Sequence, residues 1–380
     1  MDMRIGINAL GLWGKFTGVE RSILNLIKGM LKADLPLELV VYVPIEFEGS
    51  LLTSGIAPKQ CKLELRKLGI ASRFRILRIV CEQAFLPLKV TADRLQLLHC
   101  PSYIAVLGSP LPVVLSLYDV LAITHPQWCR TANRIHYRFM LPLSILKARR
   151  IIVPSKSVKH SLISLFPHAE QKVEVIPLGI DEIFLEPPNE SVIRHIKAKF
   201  NLPKQFVLFV GNIEPKKNLP TLLKAYEMLR ERMSEIGLVI VGMPAWGDGK
   251  FVERARSTGA LCLGYVSDTV LHALYSLASV LAFPSLYEGF GLPPLEAMAV
   301  GTPVVASSAG ALPEVLGDAA ILVEPNNATQ LAEALYKAIV DESLRAKLIE
   351  KGKARAHTFS WVETAKRVAK VYEHVLRECS

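Results

Sequence analysis

Two carboxylates eight positions apart, Glu288 and Glu296, bracket a glycine-rich bend in the stretch Pro284-Ser285-Leu286-Tyr287-Glu288-Gly289-Phe290-Gly291-Leu292-Pro293-Pro294-Leu295-Glu296. A carboxylate only accepts hydrogen bonds, so such a pair suits a neutral, hydroxyl-rich ligand such as a sugar. Between the two acids, Gly289 and Gly291 let backbone amides approach a ligand closely, and the helix expected after them offers its N-terminus to an anion. Pro293 and Pro294 fit the first turn of that helix, where a missing N–H costs nothing. A diphosphate matches this bend. The purely structural alternative makes Glu288 a helix cap and leaves Glu296 in solvent.

A second cluster, Gly211-Asn212-Ile213-Glu214-Pro215-Lys216-Lys217-Asn218, follows the apolar run Phe206 to Val210. Cations fixed at the carboxyl end of a strand neutralise a departing phosphate, through charge-assisted hydrogen bonds worth about 1.5–3 kcal/mol each. Taken without the first motif, the two lysines read as a solvated pair.

The elements that must position these groups alternate from end to end. Short apolar runs predict strands at 4–9, 37–43, 97–99, 112–117 and 150–153, then at 206–210, 238–241, 260–263, 279–283, 302–306 and 320–323. Helical stretches separate them, the pattern of parallel sheets covered by helices. The expected fold class is α/β, with two doubly wound, Rossmann-like units. Proline and charge between Glu182 and Asn189 place a linker near 181–204. The domains read as 1–181 and 182–360, with ligands expected in the cleft between the two sheets at the carboxyl ends of the strands. The uncharged window Thr269 to Tyr287 reads as a buried helix followed by a buried strand, not a membrane span.

With 380 residues, 51% hydrophobic and 21% charged, the composition excludes a disordered chain, a collagen and a coiled coil. Six scattered cysteines without a CxxC argue against a disulfide framework or a structural zinc. The first strand begins so near Met1 that no secretory leader is expected, which suggests a cytoplasmic protein. The net charge of +10 is uneven: residues 1–180 hold 23 Lys and Arg against 12 Asp and Glu, and the remainder 22 against 23. From Val120 to Ala169 there are eight basic residues and no acidic one, and Arg73 to Val80 mixes cations with large apolar residues in an expected helix. Such surfaces suit an anionic membrane or phosphorylated lipid better than nucleic acid, for which no recognition motif is present. Neither the GxGxxG of nicotinamide enzymes nor a Walker loop appears, so hydride transfer and NTP hydrolysis are poor readings.

The run from Gly264 to Pro325, with Glu288-x7-Glu296, Gly301-Thr302-Pro303-Val304-Val305-Ala306 and Leu312-Pro313-Glu314-Val315, strongly resembles glycosyltransferase family 4. That resemblance implies the GT-B fold and a retaining transferase that uses a nucleotide-activated sugar without metal or other cofactor. Gly211 to Asn218 is similar to the variant in bacterial mannosyltransferases of surface polysaccharide assembly. On this basis Glu288 holds hydroxyls of the donor sugar, Glu296 holds the ribose, and Lys217 stabilises the leaving diphosphate. Lys216 stands where the family usually has Arg, and Asn212 where many members carry a further Arg. Gly264, Tyr265 and Val266 match the segment whose backbone meets the base, and Gly289, Phe290, Gly291 and Leu292 the phosphate turn. In the first half, Thr17-Gly18-Val19-Glu20-Arg21 keeps one glycine, Gly18, of a common Gly-Gly loop, and Tyr118-Asp119 replaces a common His-Asp pair. Asp119 is a candidate catalytic acid, and Tyr118 and His125 are candidate acceptor contacts.

The resemblance implies a donor domain in the second half and an acceptor domain in the first, with the helix after Trp361 crossing back to the first. The expected reaction moves a hexose, mannose from GDP-mannose, to a lipid-linked or polysaccharide acceptor at the inner face of the cell membrane. A UDP-sugar transferase, a GT-B epimerase, a non-catalytic nucleotide-sugar binder and a basic nucleic-acid-binding protein stay as alternatives. No carboxylate stands out as a nucleophile, so a front-side displacement is expected over a double displacement.

Overall fold

Strands such as Leu39 to Val43 and Phe206 to Val210 are apolar at every position, which requires cover on both faces and therefore a parallel sheet between helix layers. A computed structural model describes residues 3–12, 18–69, 75–245 and 249–379, and in it the chain divides into two units, Met1–Gly179 with Ser360–Ser380, and Ile180–Phe359. Arg73 and Phe74 of the expected basic helix, and Thr17 of the first loop, lie outside the described residues.

The first unit holds β1 (Met3–Asn8), β2 (Leu37–Pro44), β3 (Lys62–Leu68), β4 (Leu97–Cys100), β5 (Val113–Ser116), β6 (Arg150–Val153) and β7 (Val173–Val175). They form one parallel sheet in the order β3-β2-β1-β4-β5-β6-β7. The second unit holds β8 (Phe206–Val210), β9 (Gly237–Val241), β10 (Leu261–Gly264), β11 (Val280–Phe283), β12 (Val304–Ser307) and β13 (Ile321–Val323). Their order is β10-β9-β8-β11-β12-β13, again parallel.

In each sheet the direction of winding reverses once, between β1 and β4 in the first unit and between β8 and β11 in the second. Loops leaving the two strands at such a reversal diverge to opposite faces, which opens a crevice at their carboxyl ends.

Residues 190–200 are not a linker. They form the helix Glu190–Phe200 of the second unit, started by Asn189, whose Oδ1 accepts from the Ser191 amide at 2.8 Å, and ended by Asn201 at φ +48°. Composition around Pro187 and Pro188 hid a helix whose apolar residues, Ile193, Ile196 and Phe200, follow helical spacing.

The helix Trp361–Cys379 packs into the first unit, where Trp361, Ala365, Val368 and Tyr372 share a core with Ile5, Ile7, Ile23 and Ile27. A Cβ on Gly29 or Gly179 would strike the Trp361 backbone, so the close approach requires glycine at both positions. Fully buried His99 ties β4 to this helix: its Nδ1 lies 2.6 Å from the Tyr372 hydroxyl and its Nε2 2.8 Å from the Ser116 hydroxyl. With no charged partner in that network, burial pushes the imidazole down to about 3.

Candidate active site

Both chemical clusters of the second unit emerge at its winding reversal, one after β8 and one after β11. After β8 the chain turns at Gly211, whose amide donates to the Val241 carbonyl at 2.9 Å, and Ile213 and Ala245 continue the tie to the neighbouring loop. Pro215–Lys217 is a single 3₁₀ turn that ends at Asn218, φ +55°, and leads directly into the helix Leu219–Arg232. Lys217, the last residue of that turn, is buried. Asn218 is buried as well, and its Oδ1 accepts from the Thr221 hydroxyl at 2.8 Å.

The chain leaving β11 runs alongside this turn, and the Leu286 amide donates to the Lys216 carbonyl at 2.7 Å. Two residues later Glu288 meets Lys217: Nζ lies 2.6 Å from Oε1, and each side chain is 11% exposed. The same ammonium sits 4.9 Å from the centroid of Phe283, whose ring face adds a further attraction. Burial pushes the Glu288 carboxyl up, but the positive charges of Lys217 and Lys216, with the Ser285 hydroxyl beside it, outweigh burial and hold it below the usual carboxylate range. Lys216 itself is half-buried and lies 3.6 Å from Glu214.

Gly291, at φ +114°, opens the helix Leu292–Val300, with Pro293 in its first turn. That helix is buried almost all round, and Glu296 on it is 5% exposed, so neither carboxylate is the solvated group of the structural alternative. The Tyr275 hydroxyl donates to Glu296 Oε2 at 3.0 Å, while the Tyr275 carbonyl accepts from the Thr302 hydroxyl at 2.6 Å. Phe184 packs edge-on against the Tyr275 ring at 5.7 Å and fixes its plane. Gly310, at φ +58°, lies flat against the Glu288 backbone, where a Cβ would collide with the Glu288 carbonyl oxygen, and the Ala311 amide donates to that oxygen at 2.9 Å. Phe290 is buried against Phe359, with ring centroids 5.5 Å apart. At the end of β10, Gly264 takes φ +70°, Tyr265 is 56% exposed and Val266 is half-buried. Asn212 is exposed after Gly211.

Tyr275 and Gly310 are not among the residues singled out in the sequence, and Thr302 figures there only within the Gly301 to Ala306 motif, with no site role. Only Gly310 carried a signal there, as the glycine ending a run of small residues between a strand and a helix.

In the first unit, Gly18 begins the helix Gly18–Lys32 and is exposed. Tyr118 and Asp119 follow β5. Burial pushes the Tyr118 phenol well up, and its ring meets that of Tyr103 edge-on at 5.7 Å. Asp119 accepts on both oxygens, from the Leu121 amide at 3.1 Å and from the Tyr103 hydroxyl at 3.2 Å. Tyr103 reaches it from φ +68°, a strained conformation for an aromatic residue. His125 stacks on Trp128, with rings 4.2 Å apart and 6° from parallel. Among the described residues, no group of three or more His, Cys, Asp or Glu is placed to hold a metal ion.

A family profile described as glycosyl transferases group 1 matches residues 193–355, and one described as glycosyltransferase family 4 matches residues 16–183. The O-antigen chain mannosyltransferase B of Escherichia coli is 32% identical over 267 residues, which take in 68% of this chain and 70% of that protein. The serotype-specific mannosyltransferase WbdA of Escherichia coli is 31% identical over 58% of this chain, a span that makes up 28% of WbdA. Among solved structures, Anabaena Alr3699/HepE in complex with UDP-glucose superposes with a TM-score of 0.74 at 21% identity, covering 98% of this chain and all of that one.

Proposed function

The chain belongs to glycosyltransferase family 4, with two parallel-sheet units of the GT-B type, and on that premise we propose that it moves mannose from GDP-mannose to a lipid-linked or polysaccharide acceptor in cell-surface glycan assembly. The observation that carries the site is the buried Lys217–Glu288 pair beside the N-terminus of the helix Leu292–Val300. The mannosyltransferase relatives support the sugar.

In this reading the diphosphate lies across the amides of Gly289 to Leu292 and draws the Lys217 ammonium, which neutralises charge as the bond from anomeric carbon to phosphate oxygen breaks. Glu288, held as a carboxylate, accepts hydrogen bonds from donor-sugar hydroxyls, and Glu296, aimed by Tyr275, accepts from the ribose. The acceptor hydroxyl attacks from the face that the phosphate is leaving, and its proton passes to the departing phosphate oxygen. Asp119 already accepts on both oxygens, which supports a positioning role for it over that of a nucleophile. No resident metal or cofactor is required in this scheme. The second unit then holds the donor and the first unit the acceptor, at the cytoplasmic face of the membrane, with Tyr118 and His125 as acceptor contacts.

A donor panel tests this reading. Acceptor-dependent GDP release from GDP-mannose, with retained configuration in the product, is the expected result. Turnover with UDP-glucose, the ligand in the Anabaena structure, would transfer the reading to a UDP-sugar. Interconversion of the donor without acceptor would replace it with an epimerase.

A further inference from the structure

We infer that the first unit docks on an anionic lipid bilayer through an apolar ridge built by two neighbouring helical segments. This deepens the reading of an acceptor held at the membrane and rests on none of the donor chemistry.

The helix Thr131–Lys147 turns an apolar row outward: Ile135 is 53% exposed, Phe139 66%, Leu143 48% and Leu146 59%. Spacings of four, four and three put these residues on one face, while Leu141, Ser144 and Ile145 fill the buried face. Exposed apolar residues are ordinary when scattered, but a continuous row this large marks an interaction site. Arg134 and Arg138, both exposed, border the row.

The second segment spans 75–92, and its exposed large apolar residues are Leu77, Val80, Phe85 and Leu88, the last at 69%. Val80 and Phe85 are five apart, which in an α-helix would put them on different faces. The π-helical turn Cys81–Phe85 between them takes hydrogen bonds from i to i+5 and so returns Phe85 to the side of Val80. Glu82 in that turn is directed toward Arg78, 3.7 Å away, with its side chain 13% exposed, so its charge is not on the row.

One loop joins the segments. The Gln83 side chain bonds to Ala105 and Leu107, and on the other side Ser144 and Lys147 bond to Ala105 and Ser109. Both segments bury their opposite faces in one core cluster, through Cys81, Leu86 and Val90 from the first and Leu141 and Ile145 from the second. Their exposed rows therefore emerge on the same side of the sheet.

Charge selects the occupant. Phenylalanine and leucine enter the boundary between headgroups and acyl chains, while arginines at the margin meet lipid phosphate. No acidic residue occurs from Val120 to Ala169 to oppose a negative surface. Among the described residues no helix is long and apolar enough to cross a membrane, so this is attachment in the interfacial plane.

Flotation of the full chain with phosphatidylcholine vesicles, with and without phosphatidylglycerol, tests the ridge. The chain is expected to float with the anionic vesicles. Phe139→Gln with Leu146→Gln lowers partitioning about tenfold or more. Arg134→Gln with Arg138→Gln lowers it about thirtyfold on anionic vesicles alone, and high salt erases that difference. Phe139→Trp keeps the surface apolar, and a blue-shifted emission on adding anionic vesicles supports insertion even if the glutamine pair fails to fold. A chain that stays out of both vesicle types overturns the proposal, as does a glutamine pair that folds and floats like the parent. A dimer dispersed by the glutamine pair would reassign the ridge to a second copy. Because turnover on a soluble acceptor is measured separately, failure of the donor reading and failure of docking are distinguishable.

Discussion

Replacing Lys217 with methionine leaves the Glu288 carboxylate buried without its partner, and the cost divides into a folding part and a chemical part. Nζ and Oε1 are 2.6 Å apart at sites 11% exposed, so water replaces little of the lost attraction. Breaking such a pair from one side costs about 3 kcal/mol, at the lower end of the usual range because Lys216 still faces the carboxylate. For a unit the size of Ile180–Phe359 that lowers Tm by roughly 6–12 °C. The double variant Lys217→Met/Glu288→Gln removes both charges and should return to within about 1 kcal/mol of the parent. The pH dependence has a definite sign. In the parent the Glu288 carboxyl is held below its ordinary 4.5, so its stabilisation is present above that pH and is lost as pH falls through the folded value. In Lys217→Met burial prevails, the carboxyl rises above 4.5, and the deficit against the parent therefore shrinks on acidification. Both variants should lose about a hundredfold or more in turnover, because neither keeps the Lys217 ammonium for the leaving diphosphate. Calorimetry across pH, with turnover measured on the same samples, reads both parts. Equal melting of the single and double variants would refute the folding argument, and near-parental turnover of Lys217→Met would remove that ammonium from the chemistry.

Tyr275→Phe takes away the donor that aims Glu296, and nucleotide affinity by titration calorimetry should fall about tenfold while turnover at saturating donor stays within about threefold, since the ribose lies away from the reacting bond. Gly310→Ala adds strain at φ +58° and pushes on the Glu288 carbonyl; turnover should fall more than tenfold in a chain that still folds. His99 is held down to about 3, below its ordinary 6.5, so the unfolded chain takes up its proton first as pH drops. Stability of the first unit should then fall by about 1.4 kcal/mol per pH unit below 6.5, and a glutamine at this position should flatten that slope in denaturant titrations at several pH values.

The buried strands of both sheets were legible because each is apolar on two faces. Two edge strands were not: β3 reads Lys62-Leu63-Glu64-Leu65-Arg66-Lys67-Leu68, with four of its seven residues charged as an exposed edge demands, and β7 is three residues long. The acids flanking the glycine bend were visible because eight residues of local sequence hold them. Contact between Lys217 and Glu288 spans 71 positions, and only the adjacency of β8 and β11 at the winding reversal brings it about. Tyr275 was hidden for a different reason, since on a buried helix a tyrosine that fills the core and one that aims a carboxylate look alike in sequence.

The helix Trp361–Cys379 belongs to the unit that the chain begins, although a whole second unit is synthesised in between. During translation Tyr372 emerges only after the whole of Ile180–Phe359, so His99 Nδ1 waits for its partner while the second unit is made. A chain interrupted before Trp361 leaves the apolar flank around Ile23 and Ile27 bare. Chains interrupted there thus carry a hydrophobic flag that chaperones and proteases recognise.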